Sequence, residues 1–193
     1  MKKLLPALLM YALAVASHAQ FVKIVVEEID NEGTVPGRTY RIYAELTNEG
    51  DQLYLVYGDS LHPLSISSTK PFYQNQYGGA FAKDVNRKLA MENDSLRYDS
   101  WLTIGAADNY NNNVAPLNAD TKNFEENGDA VVCNVDGCWF CLPTHKQAYC
   151  GSDKKILLMQ LTTEGSITGT INIMGKTAAG EMYRNYDVAF KAN

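Results

Sequence analysis

Alternating apolar and polar residues recur along this chain and predict β-strands. The clearest alternation lies between residues 38 and 48. Its apolar face carries Tyr40, Ile42, Ala44 and Leu46. A period of two is typical of a strand with one buried face. The stretch 21–29 is rich in Val and Ile and predicts a second strand.

Clusters of Gly, Pro, Asn and Asp separate these segments from further strand candidates. The further candidates are 52–57, 64–67, 98–105, 155–162, 166–174 and 183–190. Residues 48–51 predict a hairpin between 38–48 and 52–57. Residues 82–91 predict one short helix, and the polar stretch 109–127 predicts a long loop. The pattern therefore predicts an all-β, mainly antiparallel β-sandwich with long loops and at most one short helix.

The N-terminus has the features of an export signal. Two lysines precede an apolar run over residues 4–16, which is shorter than the about 20 residues that span a bilayer. Small residues follow where a signal peptidase cleaves. We therefore predict a signal peptide over residues 1–19 and a single secreted domain over 20–193, beginning at Gln20. The alternative is an uncleaved membrane anchor; no later stretch is apolar enough to span a membrane.

The charge of the chain excludes some partners. Without Lys2 and Lys3, 15 basic side chains face 22 acidic ones, and the basic residues form no cluster in the sequence. Nucleic acids and anionic membrane surfaces are bound by clustered Lys and Arg. The sequence therefore predicts neither of them as a partner.

All four cysteines lie within residues 133–150. In an exported chain they predict two disulfides. The alternative is a zinc site of Cys138 and Cys141 with Cys133, Cys150 or His145 completing four ligands. Asp136-Gly137 has the sequence of a hairpin turn, which would bring Cys133 beside Cys138. A loop over 142–149 would then return Cys150 to Cys141. The predicted pairs are Cys133–Cys138 and Cys141–Cys150, although four cysteines allow three pairings.

Several segments occur in an order that resembles a known type of domain. They are 37–44, 56–60, 63–66, 72–75, 78–79, 98–105, 139–140 and 157–163. The most specific is Tyr98-Asp-Ser-Trp-Leu-Thr-Ile-Gly105. Together they resemble a recurrent secreted domain of bacterial and algal extracellular proteins, over most of residues 20–193. The resemblance implies export and a β fold but no activity, and the four cysteines depart from its pattern.

Catalytic chemistry finds little support in the sequence. A hydrolase needs a nucleophile, a base and an orienting acid. After signal cleavage only His62 and His145 remain as histidines, and no Gly-x-Ser-x-Gly motif is present. Neighbouring strand residues such as Glu27 and Glu28 point to opposite faces, so they cannot act as a pair. We therefore predict no catalytic residue.

The cofactor prediction is none, with calcium as the one candidate. Calcium binds several carboxylate, amide and carbonyl oxygens. Asp108, Asn109 and the asparagines at 111–113 could supply them, as could Asp120 with Glu125. No EF-hand sequence is present, and an ordinary polar loop is the competing interpretation.

Two groups of residues are candidates for binding. Tyr73, Asn75 and Tyr77 place aromatic rings and an amide in one loop, which suits carbohydrate, although tyrosines also cap hydrophobic cores. A second group lies on the first strand and could pair with a neighbouring molecule: Phe21, Val22, Ile24, Val25 and Val26. Pairing within its own sheet is the competing interpretation.

The sequence therefore predicts a non-enzymatic extracellular module. It would be a structural or adhesive subunit of a surface layer, filament or matrix, with itself, other extracellular proteins or glycans as partners. A carbohydrate-binding module is the first alternative, and a secreted hydrolase is the second.

Overall fold

The computed structural model describes residues 20–193, which form two mainly antiparallel sheets around a shared core. The predicted signal peptide, residues 1–19, lies outside the described residues. The strands are β1 (Phe21–Ile29), β2 (Arg38–Leu46), β3 (Gln52–Gly58), β4 (Leu64–Ser68), β5 (Trp101–Leu102), β6 (Ala115–Leu117), β7 (Val131–Cys133), β8 (Gly137–Phe140), β9 (Lys155–Thr163), β10 (Ile167–Lys176) and β11 (Met182–Ala192). The helices are α1 (Arg87–Glu92), α2 (Asp94–Arg97) and α3 (Lys122–Asn127), with 3₁₀ turns at Ala82–Asp84 and Lys146–Ala148. No helix within residues 20–193 has the length and apolar character needed to span a membrane.

The first sheet has the strand order β1-β2-β9-β5. The second sheet has the order β6-β8-β3-β10-β4-β7, and β11 pairs with β10 as well. Ile42, Val56 and Leu161 are among the apolar side chains that the two sheets bury between them. Trp139 lies fully buried in this core, and its indole Nε1 donates to Thr103 O at 3.1 Å. The predicted all-β, mainly antiparallel sandwich is confirmed, but residues 20–193 contain three short helices where at most one was predicted.

In the second sheet, two neighbouring lines of strands are each interrupted, and the two interruptions lie side by side. Strands β3 and β4 lie end to end along β10, and β8 and β7 lie end to end along them. The pairs Gly58↔Gly137 and Leu64↔Cys133 bracket both interruptions. Residues 59–63 and 134–136 therefore leave the sheet side by side.

A buried asparagine holds the interruption in place. The Asn172 Nδ2 donates to Tyr57 O at 2.9 Å and to His62 O at 2.7 Å, and its Oδ1 accepts from Asp187 N at 2.8 Å. Asp187 has a φ of 53°, and β11 is irregular against β10 between Ile171 and Ile173. The Asn172 amide thus provides hydrogen-bond partners for backbone groups that the interrupted strand pairing leaves without one.

Both predicted hairpins are wrong. Residues 48–51 carry the chain from β2 in the first sheet to β3 in the second. Asp51 stabilises this crossing, because its Oδ2 accepts from Asn48 N at 2.9 Å and its Oδ1 from Ala178 N at 2.9 Å. At Asp136-Gly137 the chain continues in the same direction from β7 into β8. The reason is that β7 pairs with β4 and β8 pairs with β3, along the same edge of the sheet.

Three other segments differ from the prediction. The helix over 82–91 is a 3₁₀ turn followed by α1, because the Asn86 Oδ1 accepts from Lys88 N and Leu89 N and starts the helix there. Only Trp101–Leu102 of the segment 98–105 pairs as a strand. The predicted loop 109–127 contains β6 and α3.

We expect Asn172→Ala to lower the free energy of unfolding by about 2–4 kcal/mol, because it leaves several backbone groups without partners at a buried position. Thr168→Ala is the control, since Thr168 is exposed on the same strand; we expect a change of about 0.5 kcal/mol or less there. Urea denaturation followed by fluorescence measures both. Equal effects of the two substitutions would show that the Asn172 hydrogen bonds do not hold the interruption.

Candidate functional site

A helical segment covers the outer face of the first sheet. Residues 81–110 cross this face and carry α1, α2 and β5. They bury a second hydrophobic cluster, separate from the main core: Ala82, Val85, Leu96, Trp101 and Leu157. The site described below lies where this segment meets strands β2 and β9.

A seam of buried polar side chains joins the segment to β9. Ser100 Oγ accepts from Thr162 N at 2.9 Å, and Thr162 Oγ1 donates to Tyr98 O at 2.6 Å. Gln160 Nε2 donates to Arg97 O and to Asp99 O, both at 2.9 Å. The side chains of Ser100, Gln160 and Thr162 are essentially inaccessible to solvent. Their hydrogen bonds fix the segment in register with the sheet.

Beside this seam lies a cleft of about 380 Å³ that we call the arginine cleft. Its lining is Arg41, Val85, Arg87, Ala90, Met91, Arg97, Trp101, Ala107 and Asp108. Arg41 comes from β2, Arg87 from α1 and Arg97 from α2. Three arginines from three different elements thus line one opening.

The seam orients one of these arginines. Arg41 Nε donates to Gln160 Oε1 at 3.0 Å, and the Gln160 amide is fixed by its own two bonds to the backbone. A half-buried guanidinium is therefore held through its Nε. This arrangement leaves its two terminal nitrogens as donors for a ligand.

The cleft carries positive charge that nearby acids balance only in part. Arg87 Nε lies 3.6 Å from Asp108 Oδ2, and Arg97 Nη1 lies 3.4 Å from Asp94 Oδ1. Among residues 20–193 no carboxylate forms an ion pair with Arg41. Its cross-strand neighbour Glu27 is bound instead to Lys155 Nζ at 2.6 Å.

The predicted carbohydrate residues lie in the loop next to α2. Asn75 Nδ2 donates to Tyr73 Oη at 3.1 Å and to Ser95 Oγ at 3.0 Å, and Asn75 Oδ1 accepts from Tyr77 N at 3.0 Å. The structure therefore links the three predicted residues through one amide. That amide is already used to shape the loop, while the Tyr77 ring is more than half exposed. Their role in ligand binding stays a prediction.

A buried carboxyl group lies under this loop. Asp99 Oδ1 accepts from Asn75 N at 2.7 Å, whereas Asp99 Oδ2 is buried against Gly78 without a hydrogen-bond partner. Any side chain at Gly78 would collide with Oδ2, so glycine is required there. Burial raises the pKa of Asp99 to about 7, although the N–H groups of Asn75, Ser100 and Gly79 oppose the shift.

All four cysteines are free thiols in the structure, so the predicted disulfides are absent from it. Burial raises the pKa of each thiol, and that of Cys141 to about 12, which makes the thiols poor nucleophiles at neutral pH. The hairpin that motivated the Cys133–Cys138 pair does not exist. Nevertheless, these two residues flank the interruption 134–136, and the nearby Cys138 thiol contributes to the raised pKa of Cys133.

The second predicted pair also flanks a departure from the sheet. Cys141 N donates to Tyr54 O at 3.0 Å, and Cys150 N donates to Asp51 O at 2.9 Å. Residues 142–148 leave the β3 edge between these two points, and Tyr149 rejoins it opposite Gln52. The predicted pairing for the oxidised protein therefore stays a prediction.

The ligands named for the zinc alternative do not assemble among residues 20–193. No three His, Cys, Asp or Glu side chains within this range lie close enough to hold a metal ion. Asp108 faces Arg87, and its backbone oxygen accepts from Asn112 Nδ2 at 3.0 Å. The zinc alternative requires such a group of ligands. Calcium bound through backbone and amide oxygens stays a candidate only.

The first strand pairs within its own sheet. β1 is antiparallel to β2 from Phe21 to Ile29. Phe21, Ile24 and Val26 pack against the main core, whereas Val22 is half exposed. The structure thus shows the intramolecular pairing of the predicted self-association strand, and donation of this strand to a neighbour stays a prediction.

An apolar surface lies on the second sheet at its interruption; we call it the apolar rim. The exposed fractions are 83% for Leu61, 68% for Val135, 55% for Leu117 and 48% for Val132. Leu61 and Val135 occupy the two segments that leave the sheet side by side, and Val132 precedes the second of them on β7. Leu117 pairs with Cys138, and the adjacent Asn118 Nδ2 donates to Asp136 O at 3.2 Å.

Sequence reasoning did not identify the arginine cleft or the apolar rim. Arg41 belongs to the polar face of a correctly predicted strand, but nothing in its neighbourhood in the sequence indicates that Arg97 and Gln160 lie beside it. Leu61 and Val135 follow no periodic pattern. Both sites depend on contacts between residues distant in sequence.

The raised pKa of Asp99 predicts a pH dependence of stability. Folded protein holds this proton up to about pH 7, whereas an unfolded aspartate loses it near pH 4. The group therefore contributes stability that is fully present below about pH 4 and is lost as pH rises through about 7. We expect the unfolding free energy of the wild type, minus that of Asp99→Asn, to fall between pH 4 and 8. A flat difference in urea denaturation would contradict the assignment.

We expect protein recovered from an oxidising compartment to contain Cys133–Cys138 and Cys141–Cys150, as the sequence predicts. Cys141 lies opposite Tyr54 and Cys150 opposite Asp51, about 10 Å apart along β3, so the second disulfide requires residues 142–149 to shift. Peptide mapping without reductant identifies the linked peptides. The matched control is the same mapping on protein made under reducing conditions, which should yield four alkylated cysteines. A Cys138–Cys150 peptide, or four thiols in the exported protein, would refute the pairing.

Comparisons of the chain with protein-family models, with curated proteins and with solved structures found no match. The resemblance based on Tyr98-Asp-Ser-Trp therefore rests on the sequence motifs alone.

Proposed function

We propose that this chain is a non-enzymatic extracellular module with a structural or adhesive role. The observation that carries the proposal is the apolar rim. Contiguous exposed apolar surface is typical of protein interaction sites, whereas single exposed apolar residues are ordinary. Here four such residues lie at one interruption of the second sheet.

The location outside the cell rests on the sequence of residues 1–19 and on the cysteine content. Two further observations support a role without catalysis. The thiols are buried with raised pKa values, and the arginine cleft holds one carboxylate, Asp108, which is bound to Arg87. Acid–base chemistry on a glycoside requires two carboxyl groups that face the substrate.

The proposal assigns the rim to a second copy of the chain or to another extracellular protein. Self-association is the first expectation, because a surface layer, filament or matrix is built from repeated contacts between like subunits. Carbohydrate binding through the Tyr73 loop is the alternative function. It is less well supported because Asn75, which would read sugar hydroxyls, already bonds within the loop.

We expect the purified domain, residues 20–193, to associate with rising concentration, and Leu61→Asp with Val135→Asp to abolish this. Charges in place of exposed apolar side chains oppose burial at an interface but disturb no core contact. Met182→Asp is the matched control, since Met182 is also exposed but lies at the start of β11. Analytical ultracentrifugation measures the association. A wild type that stays monomeric, or a control that loses association equally, would refute the role of the rim.

A crosslink distinguishes rim contacts from donation of β1. Lys23 and Glu45 lie opposite each other on β1 and β2 and are exposed or half exposed, so a disulfide from Lys23→Cys with Glu45→Cys fixes β1 in its own sheet. Deleting the strand is less informative, because Phe21, Ile24 and Val26 contribute to the core. Association that persists in the crosslinked protein excludes strand donation. If crosslinking abolishes association and the rim substitutions do not, the contact between subunits is formed by β1 and not by the rim.

A further inference from the structure

We infer that the arginine cleft binds an anionic group, a carboxylate or a sulfate ester, carried by an acidic polysaccharide. This site lies on the outer face of the first sheet, away from the apolar rim, so the inference does not depend on self-association. It names a ligand class that the proposed adhesive role leaves open.

The first argument is the kind of donor that the cleft presents. Guanidinium groups are planar and offer paired N–H donors that match the two oxygens of a carboxylate or sulfate. Arg41 is anchored through its Nε by Gln160, so its terminal nitrogens are positioned before a ligand arrives. Preorganisation of this kind reduces the entropy lost on binding.

The second argument is the charge balance. Arg87 and Arg97 each have one carboxylate within 4 Å. The Arg97–Asp94 pair is exposed on both sides, where such pairs contribute little and can exchange partners, whereas Asp108 is half-buried. Arg41 has no carboxylate partner among residues 20–193, and the acid opposite it, Glu27, is engaged by Lys155. The cleft thus has donors for one anionic group beyond those that Asp108 and the neighbouring Asp94 engage.

The third argument concerns what carries the anion. The cleft is open to solvent and its volume of about 380 Å³ lies in the range of sites for small ligands. Arg87 also lies 5.1 Å from the centroid of the Tyr110 ring, which is largely exposed. Arg87 covers one face of this ring. The other face can contact a pyranose while the arginines bind its acidic substituent, so the arrangement suits an acidic sugar.

The test uses the folded domain, residues 20–193, in calorimetric titrations with defined probes. The probes are an oligogalacturonate, its methyl ester, a sulfated oligosaccharide of similar length and a poly-glutamate peptide. We expect binding of the oligogalacturonate or of the sulfated oligosaccharide, which identifies the source of the anion. The neutral methyl ester should bind at least about tenfold more weakly, since it lacks the charge that the arginines recognise.

Variants assign the binding to the cleft. Arg41→Gln and Arg97→Gln should each weaken binding about tenfold or more, as expected for loss of a charge-assisted hydrogen bond. Arg184→Gln is the matched control, because it removes the same charge from β11 on the other sheet; we expect a change of less than about twofold. Arg97 is more than half exposed, so its variant keeps the test valid should Arg41→Gln fail to fold.

Four outcomes would overturn the inference. They are equal binding of the methyl ester, equal binding of the poly-glutamate peptide, an equal loss in Arg184→Gln, and no binding of either acidic oligosaccharide. Because the rim variant Leu61→Asp with Val135→Asp leaves the cleft unchanged, it should bind the oligosaccharide as the wild type does. Failure of self-association and failure of glycan binding are therefore separate results.

Discussion

The buried polar seam between residues 98–100 and strand β9 is the contact on which the candidate site depends. Polar groups removed from water destabilise a fold unless each finds a partner. Here the side chains of Ser100, Gln160 and Thr162 form hydrogen bonds with backbone groups of the element that faces them. The helical segment therefore has one register on the sheet. The same Gln160 amide then orients Arg41. One hydrogen-bonded arrangement thus closes the second hydrophobic cluster and builds the arginine cleft.

A buried amide has a comparable role in the second sheet. Two adjacent strand runs leave the ladder at the same level, and Asn172 bonds to the backbone on both sides of the break. A regular sheet would have placed these residues in alternation between core and solvent. The interruption instead pushes Leu61 and Val135 outward together. At both candidate surfaces, therefore, a buried amide bonds to backbone groups and fixes the local arrangement.

Features that depend on local sequence could be predicted, whereas features that depend on contacts between distant residues could not. Alternation and β-branched composition located β1, β2, β9, β10 and β11 within a few residues, because these depend on local pattern. Turn sequences at 48–51 and 136–137 indicated that the chain bends, but not whether it returns along the same sheet. The first crosses between sheets and the second continues forward. The arginine cleft joins residues 41, 97 and 160, and no local pattern encodes that meeting.

The positions of the two surfaces determine how they could work together. The arginine cleft faces outward from the first sheet, whereas the apolar rim lies on the second. An assembly formed through the rim would leave each cleft open. The net negative charge of the chain repels a polyanion at a distance, but at physiological salt this field is screened within about 8 Å. Recognition would then depend on the local guanidinium groups, with weak affinity at each cleft. Repetition of clefts along an assembly converts weak single contacts into strong attachment, because later contacts form at high effective concentration.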